Sequence, residues 1–335
     1  MGCFLILTGF SVFVSEFEHR ANLEVFHLLF TPFLSIYLST TILFYYSLAL
    51  TNRYLLEAKK YRWLFIPVVF EILFQYLILL LGDKENIVLE TLNQFIYLLA
   101  FPYCLFIFWL ILKQLKRHNN NILTLFSTIE DKELNWLKHL VMVNIGFIII
   151  WIIDDALFMI MDENIVSNFM SHISLFATLI TIIWIGFSGT KQPLIFEAAT
   201  KTDSQEDILK IDSQKKESPT NSEDELIFER IKTKIEQEKI FTNTNLSLKD
   251  LARAVELRDR ELSRIINQCY GNNFFHFINS YRVAYFKELL KDPKSKSFSI
   301  VGLSMQAGFK SKSTFYTAFK KIEGKTPKEY EIQSN

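Results

Sequence analysis

The chain has 335 residues and little of what enzymes and metalloproteins require. Its three cysteines, Cys3, Cys104 and Cys269, form no close-spaced pair, which excludes a disulfide framework and a thiolate metal site. His19, His27, His118, His139 and His276 are scattered without ligand spacing. HExxH, GxSxG and a Gly-rich phosphate loop are missing, and no nucleophile–base pair or phosphate-receiver pattern stands out. A non-enzyme with no cofactor and no metal is therefore expected. There is also no net charge: 36 Lys and Arg balance 36 Asp and Glu. The balance hides an asymmetry. Residues 1–190 are apolar, residues 191–225 are polar and acidic, and residues 226–335 carry 20 Lys and Arg against 12 Asp and Glu.

Long apolar runs dominate the first part. A helix needs about 20 apolar residues to span a bilayer. Runs of that order lie at Leu28–Leu50, Trp63–Leu81, Ile87–Leu112, Leu137–Met161 and Met170–Ser188. Met1–Val14 is apolar but short, with no basic leader and no cleavage site, so it is expected to be a first span. The expectation is an all-α chain with about six spans. Arg53, Lys59, Lys60 and Arg62 fall in one loop, and Lys113, Lys116, Arg117, Lys132 and Lys138 in another. The alternate loops are nearly free of Lys and Arg, so the basic loops and both termini are expected in the cytoplasm of a bacterial cell. The expected location is the inner membrane, multi-pass, with the lipid bilayer as a partner.

Acidic residues within these runs are costly, and they raise a functional hypothesis. Glu71 is near the middle of one span; Asp154 and Asp155 lie in another, with Gln75 and Asn144 as polar neighbours and His172 at the outer end of the last. They form a candidate signal pocket for a small polar or cationic molecule. Polar packing between helices, with no ligand, is the alternative. Pro32, Pro67 and Pro102 shape the helices or hinge them.

Residues 191–225 are rich in Ser, Asp, Glu, Lys and Gln. Such a composition cannot bury enough to fold alone, so a flexible acidic tether is expected. At ~5–6 Å × √n, thirty such residues reach about 30 Å.

From Leu226 the pattern turns helical and basic. Ser247 is placed to cap a helix with Leu248, Leu251, Ala252 and Val255 inward. After a turn ending at Leu257, Leu262, Ile265 and Ile266 form the inner face of a second helix, with Arg258 or Asp259 at its start. Asn272 or Asn273 can cap a long helix to Leu290, striped by Phe274, Phe277, Ile278, Tyr281, Ala284, Tyr285 and Leu289. The final stretch, FSIVGLSMQAGFKSKSTFYTAFKKIEGKTPKEYE from Phe298, repeats the design. Ile300, Leu303 and Ala307 precede a turn at Gly308 and Phe309, and Ser311 caps a helix carrying Phe315 and Phe319. Each pair is the pattern of a helix-turn-helix, whose second helix enters the DNA major groove.

The second pair resembles the AraC/XylS family of bacterial transcription regulators. Gly308, Phe309, Ser311, Ser313, Phe315, Phe319, Lys320, Lys321, Gly324, Thr326, Pro327 and Tyr330 carry the resemblance. It implies residues 226–335 as a domain of two helix-turn-helix units joined rigidly by a long helix. Two readers about 34 Å apart enter successive major grooves. Double-stranded DNA is then the partner, with a homodimer as a candidate assembly. Arg258, Arg260, Arg264, Lys310, Lys312, Ser313, Tyr316, Thr317 and Lys320 are the expected DNA contacts. Thr317 stands where the family frequently has Arg, and Gly302 and Ser304 depart from its first helix.

The function expected is sequence-specific transcription regulation by a one-component protein whose apolar half senses a signal. Two alternatives stay open. The apolar half is a transporter or intramembrane enzyme reporting through the DNA-binding part, or it is a passive anchor regulated by a partner or by proteolysis.

Overall fold

The computed structural model describes residues 35–51, 58–81, 87–129, 133–161, 222–295 and 297–334. All regular elements there are helices, and the chain divides into two compact units. The first contains α1 (Ile36–Leu50), a 3-10 turn (Ala58–Leu64), α2 (Phe65–Leu81), most of α3 (Ile87–Leu125) and α4 (Asn135–Met161). The second takes residues 118–133, which include the last turns of α3, and residues 200–335.

In the first unit, Ser35 caps α1 by accepting from the Leu38 amide. Leu43, Phe44 and Leu48 of α1 pack with Cys104, Ile107 and Ile111 of α3 and with Leu137, Leu140 and Val141 of α4. A buried polar string closes the end of α1. Ser47 Oγ donates to Gln114 Oε1 at 3.3 Å, and Gln114 Nε2 donates to Thr51 Oγ1 at 2.5 Å. The opposite surface is apolar: Trp63, Ile66, Phe70, Leu73 and Leu80 on one side, and Phe95, Leu98 and Trp109 on α3, are all exposed. Exposed apolar area on this scale marks a surface made for something other than water.

The sequence reading of about six spans is not what the structure gives. Among the described residues, two helical stretches are long and apolar enough to cross a membrane, Ala58–Ile78 and Ile87–Leu125. Within the most apolar window of each, 11% and 33% is buried inside the protein. The reason for the shortfall is length. α1 has 15 residues, about 22 Å at 1.5 Å each, against a hydrocarbon core of about 30 Å. Met1–Val14 and Met170–Ser188 lie outside the described residues. A multi-pass inner-membrane topology, and the orientation read from its loops, falls with the span count.

In the second unit, α5 (Ser222–Glu238) leads into α6 (Leu248–Ala254) and α7 (Asp259–Ile265). A π turn, Ile266–Tyr270, follows and ends at Gly271. Then come α8 (Phe274–Lys291), α9 (Ile300–Gln306), α10 (Lys312–Glu323) and α11 (Pro327–Ser334). α5 begins inside the stretch read as a tether; the rest of that stretch lies outside the described residues.

Two cores hang on α8. Phe274, Phe277 and Ile278 pack with Phe228, Ile231 and Ile235 of α5, Leu248 and Leu251 of α6, and Leu262 and Ile265 of α7. Further along, Val283 and Phe286 pack with Leu303, Ala307, Phe309, Phe315 and Phe319. One helix thus fixes both helix pairs. Gly308 seals the second turn against the start of the first pair. Its φ is +95°, and a Cβ there would meet Phe241 O at 2.6 Å. Gly308→Ala combines a left-handed backbone with a backbone clash, and it is expected to cost about 2–4 kcal/mol in denaturant unfolding. A loss below the ~1–2 kcal/mol of a left-handed backbone alone would show that this contact does not matter.

Candidate nucleic-acid interface

The first helix pair starts with a reciprocal cap. Ser247 Oγ accepts from the Asp250 amide at 3.2 Å, and the Asp250 carboxylate accepts from the Ser247 amide at 3.1 Å. Each satisfies an amide that the helix itself leaves free. The turn to α7 holds Glu256 at φ 58°, a left-handed position for a side-chain-bearing residue. Arg258 occupies the N-cap of α7 without a side-chain cap bond, and Asp259 is the first helical residue, so the expected cap at Asp259 is not formed. Leu262, Ile265 and Ile266 turn inward as the spacing predicts.

The basic residues of α7 divide into two kinds. Arg258 and Arg260 are exposed. Arg264 is committed within the protein. Its Nη1 and Nη2 donate to the two oxygens of Asp224 at 2.6 and 2.7 Å, and Nη1 also reaches Gln268 Oε1 at 2.7 Å. The Asp224 side chain is only 9% exposed, and the bonds to it push the guanidinium pKa further up. This bidentate pair fixes α7 on α5. Sequence reasoning missed Asp224 because it sits in the polar stretch read as tether.

The second pair is more open. Ser299 caps α9 by accepting from the Gly302 amide, and Ser311 caps α10 by accepting from the Thr314 amide. Gly324, at φ 73°, ends α10 with its amide on Lys320 O. Phe315 and Phe319 face inward, while Lys312, Ser313, Thr317 and Lys320 are exposed and Tyr316 is half-buried. Positions 313, 316, 317 and 320 share one helical face. Lys312 Nζ lies 5.4 Å from the centre of the Tyr316 ring. Lys310 is exposed in the turn before the helix. Tyr316, Thr317, Lys320, Lys321 and Thr326 line an open concavity of about 400 Å³. Lys321 Nζ is 2.8 Å from His276 Nε2 on α8. Burial, with that ammonium beside it, lowers the pKa of the imidazole.

Beneath both pairs lies Arg282 of α8, fully buried and not singled out by the sequence reading. Nε donates to Phe241 O at 2.7 Å and Nη2 to Asn243 O at 2.8 Å. Nη1 reaches Ser127 O and Asn279 Oδ1, both at 3.1 Å, and Nη2 also reaches Ser127 Oγ at 3.0 Å. Its guanidinium carbon is 5.8 Å from the centre of the Phe309 ring, in the second turn. The signal was present in the sequence: position 282 falls on the apolar stripe of α8, four residues after Ile278 and four before Phe286.

The residues of the candidate signal pocket are placed less fully. The Ser35 hydroxyl donates to Glu71 Oε2. Gln75 Nε2 donates to Asn93 Oδ1 at 2.8 Å, and the Asn144 amide turns back onto Leu140 O of its own helix. Asp154 and Asp155 lie on α4, and His172 lies outside the described residues. Among the described residues, no group of three or more His, Cys, Asp or Glu side chains is arranged to hold a metal ion.

A family model described as a helix-turn-helix domain matches residues 251–332, from within α6 to α11. No curated protein and no solved structure matches the chain.

Proposed function

We propose that this protein is a membrane-associated regulator of transcription that binds a specific DNA sequence through its two helix pairs. The observation that carries the reading is the pairing of α7 and α10 as second helices on one rigid α8, each with exposed basic or hydroxyl side chains. Arg258 and Arg260 suit guanine edges, which take a two-pronged donor; Lys312, Ser313 and Lys320 suit phosphates. Lys310, Tyr316 and Thr317 complete the second reader. The resemblance to AraC/XylS regulators supports the same reading. The exposed apolar helices of the first unit support membrane association, with a small-molecule signal acting there and a homodimer as the assembly. On this reading the chain performs no catalysis.

The test is binding by the full chain, in detergent micelles, to a duplex selected from a random pool. Lys312→Ala with Lys320→Ala is expected to weaken binding at all sequences. It should also reduce the slope of log affinity against log salt by about two, one for each lost phosphate contact. An unchanged slope would remove both lysines from the interface.

A further inference from the structure

We infer that residues 122–128 form a positioning latch for the first helix pair, and that this latch sets the DNA affinity of the second unit. The inference deepens the regulator reading and rests on it. The latch belongs to the second unit although 93 residues separate it from α5. Leu125 packs on the core formed by α5, α6, α7 and α8. Phe126 then pairs with Ser247 in a short antiparallel bridge.

Three hydrogen bonds seat the latch on the residues that start α6. The Ser127 amide donates to Leu246 O at 3.2 Å and its hydroxyl to the same oxygen at 2.7 Å. Thr128 Oγ1 donates to Thr244 O at 2.6 Å. On its other side Ser127 accepts. Its carbonyl takes Arg282 Nη1 at 3.1 Å and Asn279 Nδ2 at 3.4 Å, and its hydroxyl takes Arg282 Nη2 at 3.0 Å. Ser127 is fully buried and Thr128 is 3% exposed, so water does not compete for these bonds.

The arrangement is placed to matter for DNA. Ser247 caps α6, α6 leads through the Glu256 turn to α7, and Arg282 and Asn279 lie on α8. Ser127 therefore joins the entry of the first helix pair to the helix that carries both readers. A bipartite reader binds tightly only when its two halves are held at the groove spacing beforehand, because ordering them on contact subtracts from affinity. α3 is one continuous helix from Ile87 to Leu125, and its apolar window is the longer of the two membrane-length stretches.

The test compares the wild-type full chain with Ser127→Ala/Thr128→Val, in detergent micelles, on the duplex selected by the wild type. The double variant removes the hydroxyl bonds of the latch and keeps its shape. About tenfold weaker binding is expected, because part of the lost hydrogen bonding is spent in ordering the first pair. Protection from cleavage should be lost mainly on the half-site of the first pair, and amide exchange should quicken at residues 126–128 and 244–247. Quickened exchange with unchanged affinity and footprint overturns the latch. Should the double variant fail to fold, Thr128→Val alone, close to isosteric, is judged by the same two readouts. A wild-type chain that selects no duplex overturns the regulator reading itself, an outcome distinct from a wild type that binds and a variant that binds equally well.

Discussion

Arg282→Ala is expected to destabilise the second unit by about 3–5 kcal/mol, because removing a buried charge partner strands every group it served. The five donated bonds of this side chain end on oxygens from three separate stretches: Phe241 and Asn243, Ser127, and Asn279. Without the guanidinium, the carbonyls of Phe241 and Asn243 lose a buried donor, and each unsatisfied group costs about 1–3 kcal/mol. A domain is stable by only about 5–15 kcal/mol in total, so the loss is a large share. Arg282→Lys is expected to rescue little. An ammonium has three donors and no planar fork, and it cannot serve the oxygens of Phe241, Asn243 and Ser127 together. Unfolding of the full chain followed by amide exchange at residues 240–282 measures this. An Arg282→Lys protein within 0.5 kcal/mol of wild type would show that charge alone, and not the fork, is what the site requires.

Phe315→Ala is the second large effect. The ring is fully buried, with ring centres 4.6 Å from Phe286, 5.2 Å from Phe309 and 5.6 Å from Phe319. Emptying such a site costs about 3–5 kcal/mol. The loss is local to the core that holds α10 on α8, whereas the first pair has its own core. The expected outcome is a protein whose first pair stays folded while α10 loosens. Its DNA footprint then shrinks to one half-site, and affinity falls towards the non-specific level. Loss of protection at both half-sites together would mean that the two cores fold as one cooperative unit.

These two residues differ in how readable they were. Phe315 belongs to a spaced apolar pattern after a Ser cap, and local rules find it. The same holds for Ser247, Asn273 and Ser311, each of which caps the helix that its neighbours predict. Asp224 and Ser127 obey no local rule, and Arg282 is marked only by its place on the apolar stripe of α8. Arg264 meets Asp224 across 40 positions and Arg282 meets Ser127 across 155, so only the fold discloses the match. The six-span expectation erred for a related reason. Hydropathy measures how long a run stays apolar, but helices are ended by partners such as Gln114, which bonds Thr51 just past α1. Glu71 accepts from Ser35, which comes from the cap of another helix.

The 155 positions between Ser127 and Arg282 also set a schedule. Translation at about 5–20 residues per second leaves roughly 8–30 s between the making of these two residues. For most of that interval neither α6 nor α8 has been made, and the Ser127 carbonyl must wait in the company of water or another temporary partner. The first helix pair therefore finishes only when nearly the whole chain has been made. A ribosome stalled before α8 leaves a nascent chain whose Ser127 lacks Asn279 and Arg282, and release at that point yields no half-working reader.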